Sequence, residues 1–238
     1  MKILALESTA GTASAAVTED KKILAVVQVG SGRTHSEILL PMAEHLLSSL
    51  HLTNKDIDMY AVTVGPGSFT GVRIGVSTVK GLAFGRNVPC VGVSSLRALA
   101  ENLSACRGIL CPVMDARRGQ VYNALFRATG DRIERLTEDR VLPVADLVAE
   151  VLTYGEPVFL CGDGYDLTAR AFTEAGRPAE PVSPLLREAN AASVAKVAFD
   201  IFRDGRFTTD RALTCTYLRL PQAERERLEK EKMLKNDK

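Results

Sequence analysis

Two halves of this chain carry the same order of strand-like and helix-like segments, and no other feature limits the fold so tightly. Lys2 to Glu7, Ala13 to Thr18 and Lys22 to Val29 read as three strands of an antiparallel meander, the last two joined by a turn at Glu19-Asp20-Lys21. Ser36 to Leu50 has helical spacing, with Ile38, Leu39, Met42, Leu46 and Leu47 on one face and Pro41 in the first turns. Asp56 to Val64 reads as a buried strand, Gly65 to Gly71 opens a helix running to about Phe84, Val88 to Val93 reads as a fifth strand, and a helix starts at Ser94 or Ser95. The order then restarts. Ile109 to Asp115, Gln120 to Ala128 and Asp131 to Leu136 make a second meander. Val144 to Leu152 is helical, Pro157 to Gly162 a buried strand, Leu167 to Ala175 a helix, Pro181 to Leu185 a poor strand, and Ala191 to Arg203 an amphipathic helix closed by Gly205.

A duplicated βββαβαβα unit is the layout of the actin, hexokinase and Hsp70 superfamily, so the chain resembles an actin-like (ASKHA, ribonuclease H-like) α/β protein with two domains and a cleft between them. The expected division is residues 1–104, 105–220 and a charged tail, 221–238, whose Glu, Arg and Lys pairs at helical spacing read as a solvated, frayed helix.

Thirty basic against 29 acidic residues leave a net charge of +1, which supplies no overall attraction for a polyanion and argues against a chain whose main task is gripping phosphates. Aromatic residues make up 5% and Trp is absent, so base-stacking platforms are scarce. The apolar run after Lys2 stops at Glu7, too short for a secretory leader or a bilayer span, and the expected location is cytoplasmic, without membrane contact. Cys90, Cys106, Cys111, Cys161 and Cys215 are odd in number and sit mostly in apolar company, as buried free thiols do. His35, His45 and His51 fit no ligand spacing, and no metal site is expected.

Four segments suit chemistry. The turn Glu7-Ser8-Thr9-Ala10-Gly11-Thr12 has the small and hydroxylated residues that let backbone N–H groups approach an anion, as they also let any hairpin turn tightly. Glycines at 65, 67, 71 and 75 bring backbone close to something, either a phosphate at the helix start or a partner helix against the smooth stripe of Gly71, Val72, Gly75, Val76 and Val79. No Walker-type Lys follows. Arg73 and Lys80 share another face, ready for acidic groups of a partner or for solvent. Asp115-Ala116-Arg117-Arg118-Gly119 occupies, by the repeat, the place of Glu7 to Gly11, and Asp115 is either a general base or a turn cap. Gly162-Asp163-Gly164 ends the central strand of the second half.

Glu7-Ser8-Thr9, Thr34-His35-Ser36 leading to Leu40-Pro41, the run Gly65 to Gly75, Val93-Ser94-Ser95-Leu96, Asp115-Ala116-Arg117-Arg118 and Tyr217-Leu218-Arg219 together resemble the TsaB (YeaZ) family along nearly the whole chain. That resemblance implies a non-catalytic scaffold or activator that pairs with its paralogue TsaD, with TsaE joining as an ATPase, to place a threonylcarbamoyl group on adenosine 37 of tRNA (t6A). It implies a homodimer when isolated and contact with tRNA only through the complex. The helices carrying His35, Leu39, Met42, Leu46 and Gly71, Val72, Arg73, Gly75, Val76, Val79 are the expected partner interface. A nucleotide, ATP or ADP with magnesium at that interface, would meet Glu7, Ser8, Thr9, Gly67, Asp115, Gly162 and Gly164. Where TsaD carries a His-x-x-x-His metal pair, this chain has Ser95 and Leu99, so the transfer chemistry is expected to be absent. The alternatives are a free-standing small-molecule kinase or ATPase of this fold, working through Glu7 and Asp115, and a structural homodimer without a pathway partner.

Overall fold

A computed structural model describes residues 1–130 and 132–219; the charged tail expected at 221–238 lies outside the described residues. The first lobe is a five-stranded sheet in the order β3-β2-β1-β4-β5, built from β1 (Lys2–Glu7), β2 (Ala13–Glu19), β3 (Lys22–Val29), β4 (Met59–Gly65) and β5 (Cys90–Ser94). β1 and β2 run antiparallel, whereas β1, β4 and β5 run parallel. A central strand needs apolar residues on both faces, and β1 has them. Leu4 and Leu6 meet α1 (His35–Ser49) and α2 (Phe69–Ala83), while Ile3 and Ala5 meet α3 (Ser95–Glu101) and α6 (Ala191–Arg203) on the other side.

That last helix belongs to the second half by sequence but packs on the first sheet, where Ala191, Val194, Ala195 and Ala198 cover Ile3, Ala5, Met59 and Val91. The packing unit and the sequence half therefore differ at α6.

The second lobe contains β6 (Arg107–Asp115), β7 (Gln120–Asn123), β8 (Phe126–Thr129), β9 (Ile133–Arg135), β10 (Arg140–Pro143), α4 (Val144–Leu152), β11 (Val158–Cys161) and α5 (Tyr165–Glu174). The strand expected over Gln120 to Ala128 is broken into β7 and β8, yet both keep one antiparallel register on β6, from Val113↔Asn123 to Ile109↔Arg127. The break falls opposite Pro112, which has no N–H to give the ladder. Asn123 fills the gap: its buried amide donates to the carbonyls of Pro112 (3.0 Å) and Ala124 (3.2 Å). β10 was not expected; it pairs along β7 and ends at Pro143. The strand expected at Pro181 to Leu185 shrinks to one bridge between Phe159 and Glu180, followed by a 3-10 turn at Pro184–Leu186, because two prolines in five residues remove ladder donors.

Candidate functional site

The lobes face each other across a cleft of about 430 Å³. Thr9, Gly11, Ser68 and Phe69 line its first-lobe wall, and Asp115, Arg117, Tyr122 and Asp163 line the second.

The first wall begins with the β1–β2 turn. Glu7 is fully buried and does not reach the cleft. Its Oε1 accepts the backbone N–H (2.6 Å) and the hydroxyl (2.5 Å) of Thr9, while its Oε2 is buried without a hydrogen-bond partner, as is Oγ1 of Thr63. Burial raises the Glu7 carboxyl above its ordinary range against the pull of those Thr9 bonds. Thr9 thus spends its hydroxyl inward, and Ser8 donates its own to the carbonyl of Gly71 at 2.9 Å. A magnesium-holding role does not fit Glu7, because its carboxylate is sealed behind the turn. The kinase alternative loses one of its two carboxylates by that placement; Asp115 does stand in the cleft.

The glycine segment serves close packing. A Cβ at Gly71 would stand 2.0 Å from the carbonyl oxygen of Ser8, one at Gly67 2.5 Å from that of Thr9, and one at Gly75 2.6 Å from Oγ of Ser8. Gly65, with φ of +116°, passes 2.5 Å by the same measure from the carbonyl of Thr216. The α2 terminus is therefore wedged between the β1–β2 turn and the C-terminal segment. Ser68 closes it, donating its N–H to Thr9 O (2.8 Å) and accepting from Gly71 N–H (3.2 Å).

On the second wall, Asp115 accepts the N–H of Arg117 at 2.7 Å, and its own N–H donates to Asp163 at 2.9 Å. Arg117 and Arg118 both adopt left-handed φ, 67° and 56°, ahead of Gly119, so this turn holds two non-glycine residues in a costly conformation at the cleft mouth. Desolvation at the cleft wall raises the Asp163 carboxyl against the pull of the bond it accepts from the Asp115 N–H. Gly162 and Gly164 sit behind that wall. Each packs on the carbonyl of Val113, and their N–H groups bond Arg187 O (2.7 Å) and Val113 O (3.1 Å). The structure thus brings Thr9, Gly67 and Asp115 to the cleft and leaves Glu7, Gly162 and Gly164 beneath its surface; Ser8 is likewise fully buried. Asp163 stood out in the sequence only as the middle of the Gly162-Asp163-Gly164 group, and Phe69 and Tyr122 were not singled out. The pairing of Asp163 with Asp115 was legible only in its position at the end of a strand beside β6.

The residues expected at a partner interface are largely consumed within the chain. Leu39, Met42 and Leu46 on α1, and Gly71, Val72, Gly75, Val76 and Val79 on α2, face the lobe's own core. This corrects the expected surface: Leu40, Pro41 and Glu44 on α1 and Ser77, Gly81 and Phe84 along and just beyond α2 point outward. His35 turns inward and bonds the carbonyl of Ala10 at 2.8 Å. Arg73 and Lys80 hold the chain's own C-terminal segment. Arg73 Nε donates to the hydroxyl of Tyr217 (2.8 Å), whose ring stacks on Phe69 at 5.1 Å. Lys80 Nζ donates to the carbonyls of Arg211 (3.3 Å) and Leu213 (3.0 Å), and Arg219 reaches the second lobe at Ala116 O (2.8 Å).

Among the described residues, no three of His, Cys, Asp and Glu converge where they could hold a metal ion, and no helix is long and apolar enough to cross a membrane.

The profile of the family described as "TsaD: tRNA N6-adenosine threonylcarbamoyltransferase" matches residues 21–198. A protein of Bacillus subtilis (strain 168) called tRNA threonylcarbamoyladenosine biosynthesis protein TsaB is 33% identical over 162 residues, covering 68% of this chain and 71% of that protein. Its Escherichia coli (strain K12) namesake is 33% identical over 152 residues, 63% of this chain and 65% of that protein. The solved structure of YeaZ from Pseudomonas aeruginosa superposes with a TM-score of 0.77 at 26% identity, over 91% of this chain and 99% of that one. With two α/β lobes around a cleft, and with that measure of likeness in sequence and in structure, the chain belongs to the TsaB (YeaZ) family.

Proposed function

We propose that this chain is a non-catalytic scaffold and activator subunit of a TsaD-containing complex that transfers a threonylcarbamoyl group to adenosine 37 of tRNA. Its kinship with the proteins called TsaB carries the reading. The positions at which TsaD would carry its histidine pair support it: Ser95 and Leu99 are 0% and 1% exposed, built into the core as packing residues.

The outward faces of α1 and α2 are the surface offered to TsaD, and Phe84, 76% exposed at the end of α2, anchors its edge. The isolated chain pairs with its own copy through the same surface, TsaE joins the assembled pair, and the partners supply most of the contact with tRNA. The cleft has the size and polarity for a nucleotide. The Gly11 backbone and the Ser68 hydroxyl would face phosphates, Phe69 and Tyr122 offer planar surfaces, and Asp115 is the carboxylate placed for a magnesium ion. The site of action is cytoplasmic.

Reconstitution of t6A formation from purified components tests the proposal. Modification is expected only when this chain is present with TsaD, and none from the chain alone. Ser77→Arg, on the outward face of α2, should abolish co-elution with TsaD on size exclusion and lower modification while leaving the melting temperature unchanged. Modification at an equal rate without the chain, or separate elution of two folded proteins, would refute the reading.

A further inference from the structure

Outside the cleft a second hollow lies where α3 and α6 meet the β9 edge of the other lobe. It has two adjoining parts of about 460 and 380 Å³ that share Arg97, Ile133 and Asp200. Six cations line it, Lys21, Arg97, Arg132, Arg135, Lys196 and Arg206, against three carboxylates, Glu101, Asp200 and Asp204. On a chain whose whole net charge is +1, this is a concentrated positive surface.

The ion pairs do not quench it. Buried Glu101 serves two cations at once, Arg97 at 2.8 Å and Lys196. Asp200 pairs with Lys21 (2.6 Å), Asp204 with Arg206 (2.9 Å), and Asp139, just outside the lining, with Arg135 (2.8 Å). Arg132 has no ion pair among the described residues.

Two of these guanidiniums are held in place before any ligand arrives. Arg97 and Arg135 lie 5.9 and 4.7 Å from the centroid of the buried Phe126 ring. Among the described residues each pairs through Nη1, Arg97 with Glu101 and Arg135 with Asp139 and the Thr137 carbonyl, which leaves Nε and Nη2 of both without a protein partner. An arginine tethered beside an aromatic ring loses little freedom on binding and presents the two-pronged edge that suits an oxyanion. Ile133, Val197 and Ile201 supply an apolar floor.

We propose that this seam binds a compact phosphate ester, its phosphate between Arg97 and Arg135 with Arg206 at the rim, and its carbon portion on the apolar floor. The carboxylates decide against an extended polyanion. A nucleic-acid strand running along the groove would pass Glu101, Asp200 and Asp204 in turn, whereas a single phosphate group fits between them. This site is independent of the t6A reading and joins residues of both lobes.

Inorganic phosphate and pyrophosphate serve as probes for the full chain, at ionic strength held constant with chloride, read by thermal shift and by calorimetry. A saturable rise in melting temperature is expected. Arg135→Lys, which keeps the ion pair to Asp139 but loses the fork, should weaken binding by about tenfold. Exposed Arg206→Gln should weaken it several-fold, and Arg170→Gln on α5 should change nothing. No saturable response in the wild type overturns the proposal. So does an equal response in all variants, which would put phosphate in the cleft, and so does an RNA oligonucleotide that displaces phosphate with higher affinity.

Discussion

Replacing Gly71 by Ala adds one carbon to α2, and the structure places it 2.0 Å from the carbonyl oxygen of Ser8. A carbon needs roughly 3.3 Å from such an oxygen, so helix and turn must part by about 1.3 Å. That displacement breaks the bond from Ser68 N–H to Thr9 O (2.8 Å) and the bond from Ser8 Oγ to Gly71 O (2.9 Å). Each lost bond costs about 1 kcal/mol, and the overpacking itself adds about 1–3 kcal/mol. Even after the ~1 kcal/mol that Ala gains over Gly in a helix, the balance is a loss of about 2–4 kcal/mol, a drop in melting temperature of roughly 10 °C for a chain of this size. Gly81 on the same helix is the internal control, because a Cβ there meets nothing within 4 Å. Gly81→Ala should gain about 1 kcal/mol from helix propensity alone, raising the melting temperature by ~2–4 °C. Thermal and urea unfolding of the isolated variants decide the matter. If Gly71→Ala melted within about 2 °C of the wild type, with an unchanged urea slope, the close-packing account of the glycine segment would be wrong.

Burial raises the Glu7 carboxyl in the folded chain above the unfolded value of 4.5. Its favourable contribution is complete below that value and fades as pH rises through the folded one, while the unfolded chain ionises freely. Glu7→Gln, whose amide can also serve Oγ1 of Thr63, should therefore be more stable than the wild type by on the order of 1 kcal/mol near pH 8, with the difference closing below pH 4.5; a difference that widened on acidification would contradict this. Burial also raises the thiols, Cys90 to about 11 and Cys111 to about 12, with Cys161 well above its ordinary range. A colorimetric disulfide reagent at pH 8 should react readily with no more than Cys106 and Cys215 of the native chain, and with all five after unfolding; rapid native modification of Cys111 would refute the assignment.

The repeat was legible because each half spends its apolar residues on a central strand with two apolar faces, a pattern that β1 and β6 write into consecutive residues. What the sequence concealed are effects of one residue on a neighbour distant in the chain. Pro112 splits a strand whose own sequence, Gln120 to Ala128, is uninterrupted, and Asn123 mends it. At the site, the glycine spacing announced a close approach without saying to what, and the answer, the carbonyls of Ser8, Thr9 and Thr216, lies up to 151 positions away along the chain (Gly65 to Thr216). Helical periodicity marked Leu39, Leu46, Val72 and Val79 as an apolar stripe but could not say whether the stripe met a partner or the chain's own sheet. Nor did Glu7 reveal that its carboxyl turns away from the cleft, since a one-residue alternation at the end of β1 decides it.

The position of α6 bears on the proposed division at residue 104. A fragment ending there would keep β1 to β5 and α1 to α3 but lose the helix that seals the second face of its sheet. Ile3, Ala5, Met59, Ala61, Val91 and Val93, all at most 2% exposed in the full chain, would be partly laid bare to water. It would also lose Leu213, buried in the core on the opposite face, and the Thr216 N–H bond to Val64 O (2.7 Å). At about 25 cal/mol per Å² of apolar surface, uncovering even ~300 Å² removes on the order of 7 kcal/mol, comparable with the whole stability of a domain. Residues 1–104 expressed alone should therefore fail to give a cooperative melt, and the full chain should unfold in one transition with fluorescence and circular dichroism coincident. A sharp, reversible melt of the 1–104 fragment would show that the lobes are independent folding units after all, and that α6 and the C-terminal segment only dock onto a finished sheet.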